Sequence, residues 1–371
     1  MSRGPVGVAL IGAGNISKQY LDNLTTFPDL RVLAITDLFP EAARARAEEY
    51  GIAEHGTPDL ALNHPDVEII VNLTIPAVHA EVALQAIRAG KHVWSEKPLA
   101  LDRESGRELL EAASAAGLRV GCAPDTFLGA GLQTAHRVIA RGDIGTPLTA
   151  QTVMQYPGPD LWHPNPAFLF QRGAGPLFDM GPYYVTALVQ TFGSARRVAA
   201  MGSAALTRRT VATGPLAGES FEVEVPTHVS AQVEFESGAS SHSVFSFQSP
   251  HVRTGYVEVT GSEATLLIPD PNNFDGELRL IRPGEEDWTV IPAAGAAQGR
   301  GMGVLDLARS LRAGVPHRAT GELAFHVLDT MIAISDSVER GEFVPVESSA
   351  AASVPLPEDW DPLAATLEAS A

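Results

Sequence analysis

Three short stretches carry side chains able to move a proton or grip a polar ligand. In GPLFDMGPYYV (175–185), Asp179 and Tyr183 stand four residues apart in an otherwise apolar, helix-like run, with Pro182 between them. At that spacing both polar tips share one helical face. They either satisfy each other as a buried pair or handle a proton for a ligand. In SEKPLAL (95–101), Glu96 and Lys97 precede Pro98 at the end of a strand-like run. A proline there rigidifies the turn, and a cis bond is open to it. The amine can donate and accept a proton; the plainer alternative is a surface ion pair. In DLWHPNPAF (160–168), Trp162 and His163 sit in a proline-stiffened loop. An indole face suits the C–H surface of a sugar ring and an imidazole suits its hydroxyls. The alternative is a loop anchored by a buried Trp with a solvated His.

The elements that must position these groups change character along the chain. In the first third, strand-like runs (VGVALIG, RVLAITD, VEIIVNLTI, KHVWSEKP, LRVGCA) alternate with helix-like ones. That alternation means a parallel sheet wrapped by helices. After about residue 145, PLTAQTVMQY, THVSAQVEFES, SSHSVFSFQS and GYVEVTG alternate apolar and polar residues. Such alternation suits an antiparallel sheet with one wet face. Helices are expected at 177–192, 302–313 and 321–340, and loops at 210–222 and 293–301. The organisation that follows is an α/β domain over 1–123, an α+β domain over 124–343, and a tail, 344–371, acting as a strap or loose end.

The segment GAGNIS (12–17) follows the first strand and opens a helix. It reads G-x-G-x-x-S. Gly12 permits the tight turn, Gly14 lets backbone approach a pyrophosphate, and free N–H groups at the helix start receive the anion. Ser17 is small enough to preserve close helix–strand packing. Asp37 ends the second strand, placed to accept hydrogen bonds from a ribose diol. Its charge would repel a 2′-phosphate, and no Arg or Lys follows until Arg44, which favours NAD over NADP.

Bulk properties exclude several classes. The 371 residues are too many for one ordinary core. Acidic side chains outnumber basic ones by 44 to 26, a formal charge of −18, which argues against a nucleic-acid partner. A single cysteine, Cys122, rules out an internal disulfide and fits a cytoplasmic location. The N-terminal apolar run leads straight into the glycine loop and reads as a strand rather than a leader. With no long apolar run, a membrane span is not expected. PDPNNFDG (269–276) has its aspartate and glycine out of register for a calcium loop. His317, Arg318, His326 and Asp329 read as packing and capping residues, so no metal is expected.

GAGNIS, TIPAVHAEVALQAIRAGKHVWSEKPLAL and GAGPLFDMGPYYVTAL together resemble the glucose-fructose oxidoreductase / inositol dehydrogenase / MocA (Gfo/Idh/MocA) family over about residues 5–340. The resemblance implies a Rossmann domain followed by an open, mostly antiparallel sheet domain. It further implies a bound nicotinamide dinucleotide, a sugar or cyclic polyol substrate, and a homodimer or homotetramer packed through the sheet. Matched by motif, Gly12, Gly14, Asn15 and Ile16 line the pyrophosphate loop, and Asp37 takes the ribose. Thr74, Pro76 and His79 border the cofactor, and Glu96 and Lys97 reach its nicotinamide end. Lys97 is the residue such enzymes use in catalysis, and Asp179 matches the aspartate of the later motif.

Two departures matter. Many relatives carry histidine where this chain has Tyr183, so Lys97 and Tyr183 are both candidates to take the substrate proton. VGCAPDTF (120–127) lacks the usual Asn and Arg; Asp125 either binds a hydroxyl pair or caps the following helix. The reading that results is an NAD-dependent oxidoreductase acting on a secondary alcohol of a sugar, glycoside or cyclic polyol. A glycosidase or lyase using bound NAD for transient redox is the alternative, and a non-enzymatic NAD-binding regulator is a third class.

Overall fold

The computed structural model describes residues 4–367. The chain divides into two compact units, each built from separate stretches. One runs to Gln133 and adds Ala294–Leu328 and the chain from Ser353 onward. The other holds Thr134–Ala293 and Asp329–Ala352. These limits differ from the contiguous ones read along the sequence. Periodicity and composition mark where elements begin, whereas the grouping depends on which distant surfaces they bury.

In the first unit, β1 (Val6–Ile11), β2 (Leu30–Thr36), β3 (Glu54–Gly56), β4 (Ile69–Asn72), β5 (His92–Ser95) and β6 (Val120–Cys122) form a parallel sheet in the order 3-2-1-4-5-6. Parallel neighbours require crossovers. These are α1 (Asn15–Leu24), α2 (Pro40–Tyr50), α3 (Pro58–Asn63), α4 (His79–Arg88) and α5 (Arg103–Ala115). Every residue of β1 and β4 is buried, as expected of strands covered on both faces. Ile11, Ile70, Val93 and Leu109 belong to the core, which Ala83 and Ala86 of α4 let the helices approach closely. The strand order reverses between β1 and β4. Their connections leave in opposite directions there and open a crevice at the carboxyl edge.

The second unit begins within α6 (Ala130–Ala140) and contains β7 (Pro147–Gln155), α7 (Gly175–Phe192), β8 (Ala195–Ser203) and a separate ribbon of β9 (Arg208–Thr210) and β10 (Ser220–Glu222). It continues with β11 (His228–Phe235), β12 (Ser240–Ser246), β13 (Arg253–Gly261), β14 (Thr265–Ile268), β15 (Leu278–Ile281) and β16 (Thr289–Ile291). Helix α8 (Met302–Ala313) belongs to the first unit, and α9 (Gly321–Arg340) begins there and ends in the second, before β17 (Val344–Pro345). The larger sheet runs 16-15-14-13-7-12-11-8-17, antiparallel except for the β12–β7 pair. Ala150, Val229, Val233, Phe245, Val257 and Leu266 face inward, while Gln151, Gln232 and His242 on alternate positions stay exposed. Helix α7 covers the apolar face, with Tyr184 edge-on to Phe245 and Phe192 against Phe235.

The C-terminal segment is a strap. Val344 and Pro345 pair with β8, and Asp329 Oδ2 accepts from the N–H groups of Glu347 and Ser348. Asp29 accepts from the N–H groups of Thr366 and Leu367.

Candidate functional site

The first unit sets a row of polar groups along the carboxyl edges of β2, β1, β4 and β5. After β1 the chain turns at Gly12, whose φ of +111° suits only glycine, and a Cβ there would lie 2.5 Å from the Leu73 carbonyl oxygen. No side chain caps the start of α1, and Gly14 and Asn15 are exposed. A Cβ on Gly14 would meet no atom within 4 Å, so the space above the loop is open. Ser17 is buried and its hydroxyl donates to the Gly14 carbonyl at 2.6 Å, closing the turn that a third glycine would leave slack. Asp37, half-buried, holds the loop from the β2 side. Its Oδ2 accepts from Ala13 N–H at 2.8 Å and its Oδ1 from Phe39 N–H at 2.9 Å.

Beyond β4, Asn72 organises the next turn. Its side-chain amide donates to the His79 carbonyl and to Ser95 Oγ, and its Oδ1 accepts from the Thr74 hydroxyl at 2.7 Å. Pro76 opens a short 3-10 turn and is exposed. His79 is 1% exposed. Its ring nitrogens contact two carbonyl oxygens, Pro98 at 2.7 Å and Thr74 at 3.0 Å. It joins the turn after β4 to the turn after β5 from beneath.

Glu96 is likewise buried. Its Oε1 accepts from the Tyr20 hydroxyl at 2.7 Å and its Oε2 from Lys97 N–H at 3.1 Å. Tyr20, fully buried, in turn accepts from Trp94 Nε1–H at 3.1 Å. Burial, followed by the nearby charges of Glu96 and Asp125, raises the Tyr20 phenol well above its usual range, so it stays a donor. The surface ion-pair alternative for Glu96 and Lys97 fails, because the carboxylate is spent inside the core. Lys97 is half-buried, and the bond joining it to Pro98 is cis.

Asp125 caps a helix, though a distant one rather than the one that follows it in sequence. It is fully buried, and its Oδ2 accepts from the N–H groups of Gly301 and Gly303 at 2.8 and 3.1 Å, capping the start of α8. A carboxylate placed there serves the helix, whose free N–H groups attract negative charge.

In the second unit, Asp179 and Tyr183 lie one turn apart on α7, which begins at Gly175. Pro182 sits inside that helix and removes the N–H that would otherwise bond the Phe178 carbonyl. Tyr156 directly follows β7, four residues before the Trp162 loop begins at Asp160. Its ring stands edge-on to Phe247 at 5.1 Å. Burial raises its phenol above the ordinary range, and the charges of Asp179 and Asp160 add to the effect. The phenol is thus a neighbour of Asp179. Trp162 is 60% exposed, which disposes of the buried-anchor alternative. His163 lies edge-on between Trp162 and Phe168, at 5.6 Å from each ring, and its Nδ1 accepts from Asn165 N–H. That acceptor role leaves the proton of the neutral ring on Nε2.

Residues 6–123 match the model of an oxidoreductase family with an NAD-binding Rossmann fold, and residues 132–267 match the GFO/IDH/MocA C-terminal domain. A 1,5-anhydro-D-fructose reductase of Ensifer adhaerens is 30% identical over 341 residues, 85% of this chain and 97% of that protein. The chain belongs to the Gfo/Idh/MocA oxidoreductase family. A second relative, the dTDP-3,4-didehydro-2,6-dideoxy-alpha-D-glucose 3-reductase of Streptomyces violaceoruber, is 28% identical over 78% of this chain and 80% of its own length. The fold is shared with a levoglucosan dehydrogenase solved with NADH and L-sorbose, at a TM-score of 0.81 and 20% identity, over 92% of this chain and 99% of that one.

Membership in the Gfo/Idh/MocA family makes this an NAD-binding oxidoreductase, and the residues present fit the cofactor. The uncapped start of α1 and the open space over Gly14 suit a pyrophosphate. Asp37 presents a carboxylate where a ribose diol belongs. Leu38, Phe39 and Ile75 are 80%, 75% and 66% exposed at the ends of β2 and β4, apolar surface suited to an adenine. Sequence reasoning missed these three, and the signal was there: bulky apolar residues directly after a strand-end acid, where a helix start is usually polar. Tyr156 was missed too, since a tyrosine ending an alternating strand looks like any other half-buried aromatic.

Proposed function

We propose that this chain transfers a hydride between NAD and a secondary alcohol of a sugar, glycoside or cyclic polyol, with Lys97, Tyr183 and Asp179 managing the hydroxyl proton. The observation that carries the reading is Lys97 at the carboxyl edge of β5. Its backbone is held by a Glu96 carboxylate that Tyr20 and Trp94 lock in place. Such buried support is what a side chain needs to present its tip in one geometry.

Bound NAD supplies the two-electron donor or acceptor. Lys97 and Tyr183 hold the reacting hydroxyl and pass its proton. Asp179 orients the phenol. Trp162 offers its exposed face to the C–H side of the sugar, and His163 hydrogen-bonds a hydroxyl. The sugar-directed names of the two reductases and of the levoglucosan dehydrogenase support the substrate class. We further propose a cytoplasmic homodimer or homotetramer joined through the open face of the larger sheet, on which Gln151, Gln232 and His242 lie exposed. No described helix is long and apolar enough to cross a membrane.

The test is a screen of purified protein on mono- and disaccharides, inositols and levoglucosan with NAD and NADP, and on 1,5-anhydro-D-fructose with NADH and NADPH. A change in nicotinamide absorbance with at least one of them is the expected result. Absence of any change across the panel sinks the reading, and aglycone release with no net NADH replaces it with the redox-neutral alternative. Asp37→Ala should weaken NAD about 10–100-fold, the range for a hydrogen bond to a charged group, and narrow the preference over NADP. A preference that stays the same after this change removes Asp37 from the ribose.

A further inference from the structure

The segment carrying Trp162 and His163 is pinned by a single buried cation from the ribbon, Arg209. Its Nη1 donates to the Pro157 carbonyl at 2.8 Å and to Asp160 Oδ1 at 2.7 Å, and its Nη2 donates to the Phe247 carbonyl. The guanidinium lies over the Phe170 ring at 5.1 Å. The side chains of Arg209 and Asp160 are 6% and 9% exposed. One planar fork therefore ties the start of the segment, at 157–160, to its end at Phe170 and to the strand-end backbone at Phe247. Two further bonds secure the same stretch: Ala212 N–H donates to the Asp160 carbonyl and Glu224 N–H to the Phe170 carbonyl.

Gly158 is the clearance that permits this arrangement. Its φ is +125°, and a Cβ there would fall 2.4 Å from Arg209 Nη1 and 2.5 Å from Asp160 Oδ1. Above this buried base the segment is wet and apolar: Leu161, Trp162 and Phe168 are 54%, 60% and 48% exposed. Exposed aromatic residues on a chain with so firm a base are not a flap searching for contacts. They are a surface held ready.

We propose that Asp160 and Arg209 form a positioning latch that fixes residues 156–170 as a pre-built wall of the sugar site, presenting Trp162 and His163 without a closing motion. The latch rests on the proposed function only in assigning that wall to the substrate. Arg209 and Asp160 touch no substrate themselves; they act through the residues they hold. The pair also reaches Tyr156, whose phenol feels both charges. The latch thereby connects the wall to the neighbourhood of Asp179. Ordering the wall in advance lowers the entropy lost on binding.

The full chain is compared with Arg209→Met, Asp160→Asn and Gly158→Ala by chymotrypsin digestion, with cleavage after Leu161, Trp162 and Phe168 mapped by mass spectrometry. Cleavage follows the population of opened segment, and it should rise about tenfold or more in each variant. Asp160→Asn keeps the shape of the site and serves if Arg209→Met fails to fold. Arg209→Lys keeps the charge without the fork and should behave closer to Met than to Arg. NADH affinity, read by fluorescence, should stay within about twofold, because the cofactor-facing groups lie elsewhere in the chain.

For the best substrate of the screen, KM should rise about tenfold with kcat changed less than about threefold, the pattern of lost positioning rather than lost chemistry. Cleavage at the wild-type rate in both Asp160→Asn and Gly158→Ala overturns the latch. Faster cleavage with unchanged KM overturns its link to substrate while leaving the proposed function intact. A wild-type protein inactive on the whole panel removes the proposed function and with it the sugar wall, and the digestion then decides the latch alone.

Discussion

Lys97→Met is expected to lower kcat by about 10²–10⁴-fold, the usual contribution of a positioned acid or base, while NADH binds with affinity within about twofold of wild type. Methionine keeps the length and the apolar stem of lysine and deletes only the amine. The main-chain contact of residue 97 survives, since Glu96 Oε2 receives the N–H and not the side chain. The Glu96–Tyr20–Trp94 chain is likewise untouched. Stopped-flow mixing with the best substrate and NADH fluorescence titration separate the two quantities. Turnover near the wild-type rate would place the proton chemistry on Tyr183 alone and leave Lys97 a bystander.

Asp125→Asn should change how stability depends on pH. Burial is the largest influence on Asp125. The positive charge of Arg300 and the N–H groups of Gly303 and Gly301 oppose it, and the carboxyl titrates at about 6 against an ordinary 3.8. The folded state therefore holds this proton more tightly than the unfolded chain does. Its contribution to stability is fully present below 3.8 and is lost as pH rises through 6. The loss is on the order of 3 kcal/mol at 1.36 kcal/mol per pKa unit. Asparagine keeps an acceptor for the two glycine N–H groups and has no proton to lose. Denaturant unfolding at pH 4 and pH 7 should show the variant gaining on wild type by about that amount over the interval.

His92, which burial chiefly lowers to about 4, acts in the opposite direction: its contribution is lost as pH falls from 6.5 through 4. It is common to both proteins and cancels in the difference. Parallel profiles for the two would show that the Asp125 carboxyl is not perturbed.

What could be read directly from the residues was local. The glycine loop, the Glu96-Lys97-Pro98 turn and the run of α7 each lie within one continuous stretch whose periodicity or turn chemistry is self-contained. The resemblance to a known family rested on those same stretches. The supports were not legible, because their partners are far away in sequence. Tyr20 and Glu96 are 76 residues apart, Asp160 and Arg209 are 49 apart, and Asp125 reaches Gly301 across 176. A carboxylate has the same one-letter code whether it faces a ligand or caps a helix, so the residue types leave both readings open for Asp125 and do not reveal that Glu96 is buried. The stretch 210–222, expected as a loop, holds β10 and the last residue of β9, because three-residue strands in a Gly- and Thr-rich stretch are too short to show alternation. Arg209 stands just before that stretch, on a strand too short to announce itself.

The interleaving of the two units has a practical consequence for anyone dissecting this enzyme. The chain passes between them four times, at 133/134, 293/294, 328/329 and 352/353. No single cut can excise a self-sufficient nucleotide-binding fragment. A fragment ending at Gln133 would keep the Asp125 carboxylate and discard Gly301 and Gly303, stranding a buried anion without its donors. Truncation series will accordingly report on solubility long before they report on catalysis.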